Sequence, residues 1–235
     1  MKKISVIIPA YNEEKTIAEV LEKISEVNLG LIKEIVIVDD GSIDNSAKVA
    51  RKFIRQKRRN NKSIFKLVTK KNGGKGSAIK KGLEVATGEI ITIQDADLEY
   101  DPNDYISLIK PILNNQAEVV FGSRFLRKHK PKYKLYFFGN KFLSFLTKML
   151  YGTTITDMET CYKVFSHKLI KNMSLKANGF DIEPEITAKL LKKGIKIKEV
   201  PISYYPRSKL EGKKINWKDG LKAIWTLFYW RFKKL

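Results

Sequence analysis

Runs of β-branched and aliphatic residues recur along the first half of this chain, and each ends abruptly in small, acidic or amide side chains. Residues Ile4 to Pro9, Ile35 to Val38, Ile64 to Thr69, Glu89 to Gln94 and Ala117 to Gly122 read as strands. Between them lie stretches with apolar residues at helical spacing, such as Ile17, Val20, Leu21 and Ile24, or Ala47, Ala50, Phe53 and Ile54. Another helix is expected from Asn72-Gly73-Gly74-Lys75-Gly76 through Ala86, and Pro102 suits the first turn of one running to about Asn114. Strands that are apolar along their whole length are buried on both faces, and intervening helices supply the crossovers of a parallel sheet. The pattern predicts an α/β fold, Rossmann-like in its first half, with ligands bound beyond the carboxyl ends of the strands. Tyr11-Asn12-Glu13, Asp39-Asp40, Asn72 to Gly76 and Asp95 to Glu99 all fall at such ends, so one shared crevice is expected.

The second half is less regular. Leu135 to Tyr151 reads as an aromatic helix, Asp157 to Phe165 as loop and short strand, Asp181 to Lys192 as helix and Ile195 to Ser203 as strand. A basic loop, Arg207 to Lys214, leads into a last helix from Asn216 to Lys234. At 235 residues and 43% hydrophobic, the chain is too apolar for a disordered basic tail. Its single cysteine, Cys161, excludes an internal disulfide framework. No stretch approaches 18 uninterrupted apolar residues, and Met1-Lys2-Lys3 runs straight into a strand. Neither a membrane span nor a secretory signal is expected, which points to the cytoplasm.

The formal net charge of +21 is unevenly placed. Residues 1–122 hold 20 basic and 17 acidic side chains, net +3, whereas residues 123–235 hold 26 basic and 8 acidic, net +18. A surface that basic favours nucleic acid, anionic lipid headgroups or phosphorylated substrates. Only 8 of the 46 basic residues are arginine, the preferred side chain for bidentate base recognition. No RNA- or DNA-binding motif stands out, so nucleic acid is not an expected partner.

Asp95-Ala96-Asp97-Leu98-Glu99 places carboxylates at alternate positions where a strand ends. Such oxygens can hold a hard divalent cation shared with a substrate diphosphate. The glycine-rich Asn72 to Gly76 segment precedes a helix and could offer backbone amides to an anion. It fits neither the Walker pattern nor the full dinucleotide fingerprint, which disfavours an ATPase or a dehydrogenase.

Pro9-Ala10-Tyr11-Asn12-Glu13, Asp39-Asp40-Gly41-Ser42, Gly74-Lys75-Gly76, Asp95 to Glu99 and Gly122-Ser123-Arg124 occur in the order seen in family 2 glycosyltransferases. The chain most resembles their dolichol-phosphate mannose synthase branch, with the likeness continuing through Asp157 to Phe165, Gly179 to Ile186 and Glu199 to Ile202. The resemblance implies a GT-A fold, a mostly parallel sheet flanked by helices, in three regions. Residues 1–122 form the nucleotide-sugar half, 123–212 the acceptor half, and 213–235 a basic amphipathic helix at the membrane surface.

Carried over by position, Pro9, Tyr11 and Glu13 line the nucleotide pocket, with Asp39 or Asp40 on the base or ribose. Lys75, Asp95 and Ala96 belong to the donor site, and Asp97 to both donor and metal. Asp97 and Glu99 hold Mg²⁺ or Mn²⁺; the mannose synthases often carry Gln where Glu99 stands. Arg207 and Lys213 close over the donor diphosphate. Arg124 meets the acceptor phosphate and, with Asp95 and Asp97, completes the expected catalytic set. The family's arginine before the aromatic helix is absent; Lys132, Lys134 and Asn140 are the acceptor-side candidates instead. The implied partners are a nucleotide sugar, a polyprenyl phosphate, an anionic membrane surface and a small membrane-anchoring protein.

The implied reaction is an inverting transfer of mannose from GDP-mannose to a polyprenyl or dolichyl phosphate, peripheral at the inner, cytosolic membrane face. A UDP-hexose donor, or a glycan hydroxyl as acceptor, is the alternative. An acceptor phosphate monoester, with a second pKa near 6, is already an oxyanion and needs placement more than deprotonation. A sugar hydroxyl needs a general base, for which Asp157, Asp181, Glu183 and Glu185 are candidates. Trp217, Leu221, Ile224, Trp225, Phe228, Phe232 and Leu235 recur at helical spacing among lysines, as in a helix lying at a headgroup region. Leu135 to Tyr151 has the same character. Packing of both stripes into the core is the competing expectation.

Overall fold

Residues 2–57, 63–127, 132–208, 212 and 214–234 are described by a computed structural model of the chain. At its centre β1 (Lys3–Ala10) pairs in parallel with β2 (Ile32–Asp39) on one side and β4 (Ile90–Ile93) on the other. β3 (Ile64–Thr69) extends the sheet beyond β2. Past β4 come β6 (Lys163–Ser166), β5 (Val119–Ser123) and β7 (Ile197–Pro201), giving the order β3-β2-β1-β4-β6-β5-β7. Only β6 runs against its neighbours, antiparallel to both β4 and β5. Strands from both halves therefore build one sheet, with its switch point between β1 and β4, where an α/β sheet opens its crevice.

The local patterns produce the expected elements. α1 (Ile17–Glu26) buries Ile17, Val20, Leu21 and Ile24, the residues whose spacing predicted it. α2 (Ser46–Lys57) and α3 (Lys75–Val85) also cover the sheet. The helix expected from Pro102 divides: residues 102–104 form a 3₁₀ turn capped by Asp101, and α4 (Tyr105–Leu113) follows. A short α6 (His167–Lys171), absent from the expectation, succeeds β6 directly.

A second, smaller core forms where α5 (Lys134–Tyr151), α7 (Ile182–Lys192) and α8 (Trp217–Phe232) meet. Leu143, Met158, Ala188, Ala223, Leu227 and Trp230 fill it. α8 starts with a reciprocal cap: the Lys218 amide donates to Asn216 at 2.9 Å and the Asn216 amide to Asp219 at 2.8 Å.

The face α8 buries is not the aromatic stripe. Trp217, Leu221, Trp225, Phe228 and Phe232 are exposed, Trp225 by 68%, while Ala223, Thr226, Leu227 and Trp230 face the core; Leu235 lies outside the described residues. α5 likewise turns out Leu135, Phe138, Phe142, Phe145 and Met149. Core packing therefore does not hold for these exposed residues, whereas Tyr136, Phe137 and Ile224 of the same stripes are half-buried, Ile224 against the second core. None of the described helices is long and apolar enough to cross a membrane.

Candidate active site

The carboxyl ends of β1, β2, β4 and β5 open onto a cavity of ≈ 720 Å³. β1 delivers Pro9 and Tyr11, and a left-handed Asn12 (φ 50°) turns the chain so that Glu13 also reaches the wall. The Asn12 turn is held by its amide donating to Ser42 at 3.0 Å and by its side-chain oxygen accepting from the Ile43 amide at 2.9 Å. β4 delivers Asp95, Ala96, Asp97 and Glu99, with Leu98 at φ 62° reversing the backbone between the last two. Lys75, Arg124, Asn140 and Arg207 complete the sequence-expected residues on this wall.

Of the two adjacent aspartates, Asp40 lines the cavity and Asp39 does not. The Asp40 carboxylate is occupied: Lys70 pairs with it at 2.6 Å, and the Gly73 and Gly74 amides donate to it at 3.1 and 2.6 Å. Asp39 is buried, and its Oδ1 has no hydrogen-bond partner among the described residues. Lys132 and Lys134 are exposed and off this wall; Lys132 borders a neighbouring open groove. Lys213 lies outside the described residues, and the adjacent Lys214 lines the cavity.

The expectation that the glycine-rich segment offers free amides to an anion is corrected. Gly73 and Gly74 spend theirs on Asp40, while Gly76 and Ser77 donate to the carbonyls of Gly179 and Asn178 at 3.2 and 3.0 Å. The glycines serve close packing instead. A Cβ on Gly74 would meet the Asn178 carbonyl oxygen at 2.5 Å, and one on Gly76 the Ala177 carbonyl oxygen at 2.6 Å.

Ion pairs organise the rest. Lys75 lies 2.8 Å from Asp95 and 3.1 Å from Glu183, and the wholly buried Lys163 also pairs with Glu183. Burial works against the Asp95 charge, yet Lys75 holds its pKa below the usual carboxylate range. Arg207 lies 3.0 Å from Asp97 and 3.1 Å from Glu13, and Lys214 lies 2.7 Å from Glu13. Glu99 accepts from the Tyr204 hydroxyl and the Arg207 amide, each at 2.9 Å. Burial, then the Asp95 and Glu99 charges, push the Asp97 carboxyl up to about 7 despite Arg207.

Among the described residues no three His, Cys, Asp or Glu side chains converge to hold an ion by themselves. Mg²⁺ takes one or two protein carboxylates and completes its shell with waters and substrate phosphates. Asp97 and Glu99 fit that donor set: two hard oxygen ligands, one of them crowded by like charges that a cation would relieve.

Arg124 is clamped by Asp157 through two parallel bonds of 2.7 Å, with the Arg124 amide adding a third at 2.9 Å, and its guanidinium lies 4.9 Å from the Tyr204 ring centroid. It lines the cavity but keeps two of its donor nitrogens on Asp157. The far wall of the cavity belongs to α5 and α8, through Asn140, Leu143, Trp217 and Ala223 among others. Sequence reasoning did not single out Glu159, which also lines the cavity. Its alternation with Asp157 and Cys161 was the available signal.

The model of Glycosyl transferase family 2 matches residues 5–173. An uncharacterized protein of Methanocaldococcus jannaschii is 32% identical over 206 residues, 85% of this chain and 80% of that one. The UDP-N-acetylglucosamine–dolichyl-phosphate N-acetylglucosaminyltransferase of Methanococcus voltae is 31% identical, covering 100% of this chain and 98% of that protein. The dolichol-phosphate mannosyltransferase of Pyrococcus furiosus is 30% identical over 97% of this chain and 64% of its own length. Glucosyl-3-phosphoglycerate synthase from Mycobacterium tuberculosis, crystallised with Mn²⁺, UDP and phosphoglyceric acid, superposes with a TM-score of 0.75 at 19% identity, over 99% of this chain and 80% of that one. The likeness in fold matches the expected GT-A architecture. With its family model spanning most of the chain and full-length relatives above 30% identity, this protein is a glycosyltransferase of family 2.

Proposed function

We propose that the enzyme transfers a hexose, mannose from GDP-mannose, to a polyprenyl phosphate at the cytosolic face of a membrane, with Mg²⁺ or Mn²⁺ as cofactor. The observation that carries this reading is the course of the cavity. It runs from the carboxylates after β4 to the first turns of α5 and α8, where Gly139, Gly220 and Ala223 leave its wall without bulk. The same two helices turn aromatic and aliphatic side chains outward beside Lys141, Lys148, Lys218 and Lys222. Apolar area with surrounding lysines suits an anionic lipid surface, to which each basic side chain adds about 1 kcal/mol.

The acceptor class gains support from the four candidate bases. Asp157 is held by Arg124, Asp181 lies 2.9 Å from Lys222, Glu183 pairs with Lys163 and Lys75, and Glu185 lies 2.5 Å from Lys189. Each of these four is committed to an ion pair, which leaves a hydroxyl acceptor dependent on some other base, whereas an acceptor phosphate brings its own oxyanion. In the transfer that oxygen attacks the anomeric carbon as the bond to the nucleoside diphosphate breaks, its electron pair leaving with the diphosphate, and the configuration inverts. Asp97 and Glu99 would hold the divalent ion, which when bound would supply positive charge for the departing diphosphate. Arg207 and Lys214, which pair with Glu13 on the same cavity wall, can turn to the diphosphate oxygens. Arg124 presents a fixed positive charge to the acceptor phosphate.

The Methanococcus relative is named for a UDP sugar, and the similar crystal structure holds UDP. A UDP-sugar donor is therefore the second reading. Incubation with Mg²⁺, polyprenyl phosphate and GDP-mannose, UDP-glucose or UDP-N-acetylglucosamine distinguishes them. Mannolipid from GDP-mannose is expected, a product only from a UDP sugar selects the second reading, and no glycolipid from any donor refutes both.

A further inference from the structure

Glu159 differs from the other acidic side chains around the cavity. Asp95, Asp97, Asp157 and Glu183 each pair with a lysine or arginine, and Glu99 accepts two hydrogen bonds. Glu159 reaches the same cavity, yet its Oε1 is buried with no hydrogen-bond partner among the described residues. An unsatisfied buried carboxyl oxygen lowers stability, and a ligand hydroxyl reaching it from the cavity would complete it.

Its position indicates what the ligand is. Glu159 shares the cavity wall with Arg124 on the acceptor side and Asp95 on the donor side, and in the chain it stands between Asp157, which clamps Arg124, and Cys161, whose thiol meets Asp95. The group that travels between donor and acceptor is the sugar. Burial pushes the Glu159 carboxyl up to about 7, as Glu183 and Asp157 add to what Lys163 and Arg124 offset. Near neutrality it can accept from or donate to a hydroxyl. Flanking carboxylates make it a poor host for phosphate.

We infer that the Glu159 carboxyl binds a hydroxyl of the transferred sugar and thereby contributes to which sugar the enzyme accepts. This rests on the nucleotide-sugar reading above. Calorimetry with Mn²⁺ tests it on the wild type, Glu159→Gln and Glu159→Ala. Each is titrated with GDP and GDP-mannose, and with UDP, UDP-glucose and UDP-N-acetylglucosamine. Glu159→Ala should weaken the intact nucleotide sugar about tenfold while leaving the free diphosphate within about twofold, the loss of one buried hydrogen bond. Glu159→Gln, which keeps the shape, should fold normally and alter the ranking of the sugars.

Equal weakening of nucleotide and nucleotide sugar makes Glu159 merely structural and overturns the inference. Unchanged affinities overturn it too, including the case where only turnover falls, as for a general base. A wild-type protein that binds no nucleoside diphosphate refutes the donor reading itself, and this inference with it.

Discussion

The Arg207 guanidinium lies 3.0 Å from the Asp97 carboxylate, so a side chain of the basic loop supplies positive charge where Asp97 faces Asp95 and Glu99. Arg207 and a divalent ion therefore compete for one carboxylate until a diphosphate gives Arg207 another partner. Arg207→Ala should tighten Mn²⁺ binding to the nucleotide-free protein and weaken nucleoside diphosphate binding in the presence of Mn²⁺. Titration calorimetry of both ligands reads the two effects; weaker Mn²⁺ binding in the variant would count against competition.

Asp97→Asn removes one of three neighbouring carboxylates without changing shape. Glycolipid formation should fall by about 100-fold or more, the scale seen when a single transition-state charge contact is lost. The melting temperature should hold or rise, because repulsion among Asp95, Asp97 and Glu99 is relieved. Activity near that of the wild type removes Asp97 from the metal site.

The Arg124–Asp157 pair is buried and bidentate. Asp157→Ala leaves the Arg124 charge without its partner and should cost about 3–5 kcal/mol in urea unfolding. An inactive Asp157 variant is informative about chemistry only after that measurement.

Glu34, at 1% exposure on β2, pairs with Lys66 at 2.7 Å and accepts from Ser5 and Thr87. Burial opposes its charge, but Lys66 first and then the hydroxyl and amide donors bring its pKa from 4.5 to about 2. A folded-state pKa below the unfolded value stabilises fully above pH 4.5, and the contribution disappears as pH falls through about 2. Glu34→Gln should lose about 2–3 kcal/mol at pH 7 and converge on the wild type in acid. A stability gap independent of pH contradicts this.

The two faces of α8 should behave oppositely. Serine at Trp217, Trp225 and Phe232 together is expected to abolish flotation with anionic liposomes and leave thermal stability intact, since all three are exposed. Trp230→Ala, in the helical core, should cost about 3–5 kcal/mol. Unimpaired flotation of the triple variant eliminates α8 as the membrane contact.

The amino-acid sequence by itself determined the alternation of strands and helices, because β-branched runs and helical spacing are short-range signals that burial then satisfies. Ile17, Val20, Leu21 and Ile24 became the buried face of α1 in this way. It also placed the polar clusters at strand ends, and a parallel sheet gathers those ends along one edge. Tertiary structure alone decided how they are partnered. β6 enters the sheet antiparallel between β4 and β5, bringing Lys163 beneath Glu183. Asp40, not Asp39, faces the cavity, and the glycine-loop amides go to Asp40 and to residues 178 and 179. α8 shows the same division at one helix. Its sequence displays an aromatic stripe, but only the positions of α5 and α7 select Ala223, Leu227 and Trp230 for burial. Periodicity tells which residues share a face; whether that face is covered depends on elements tens of residues away.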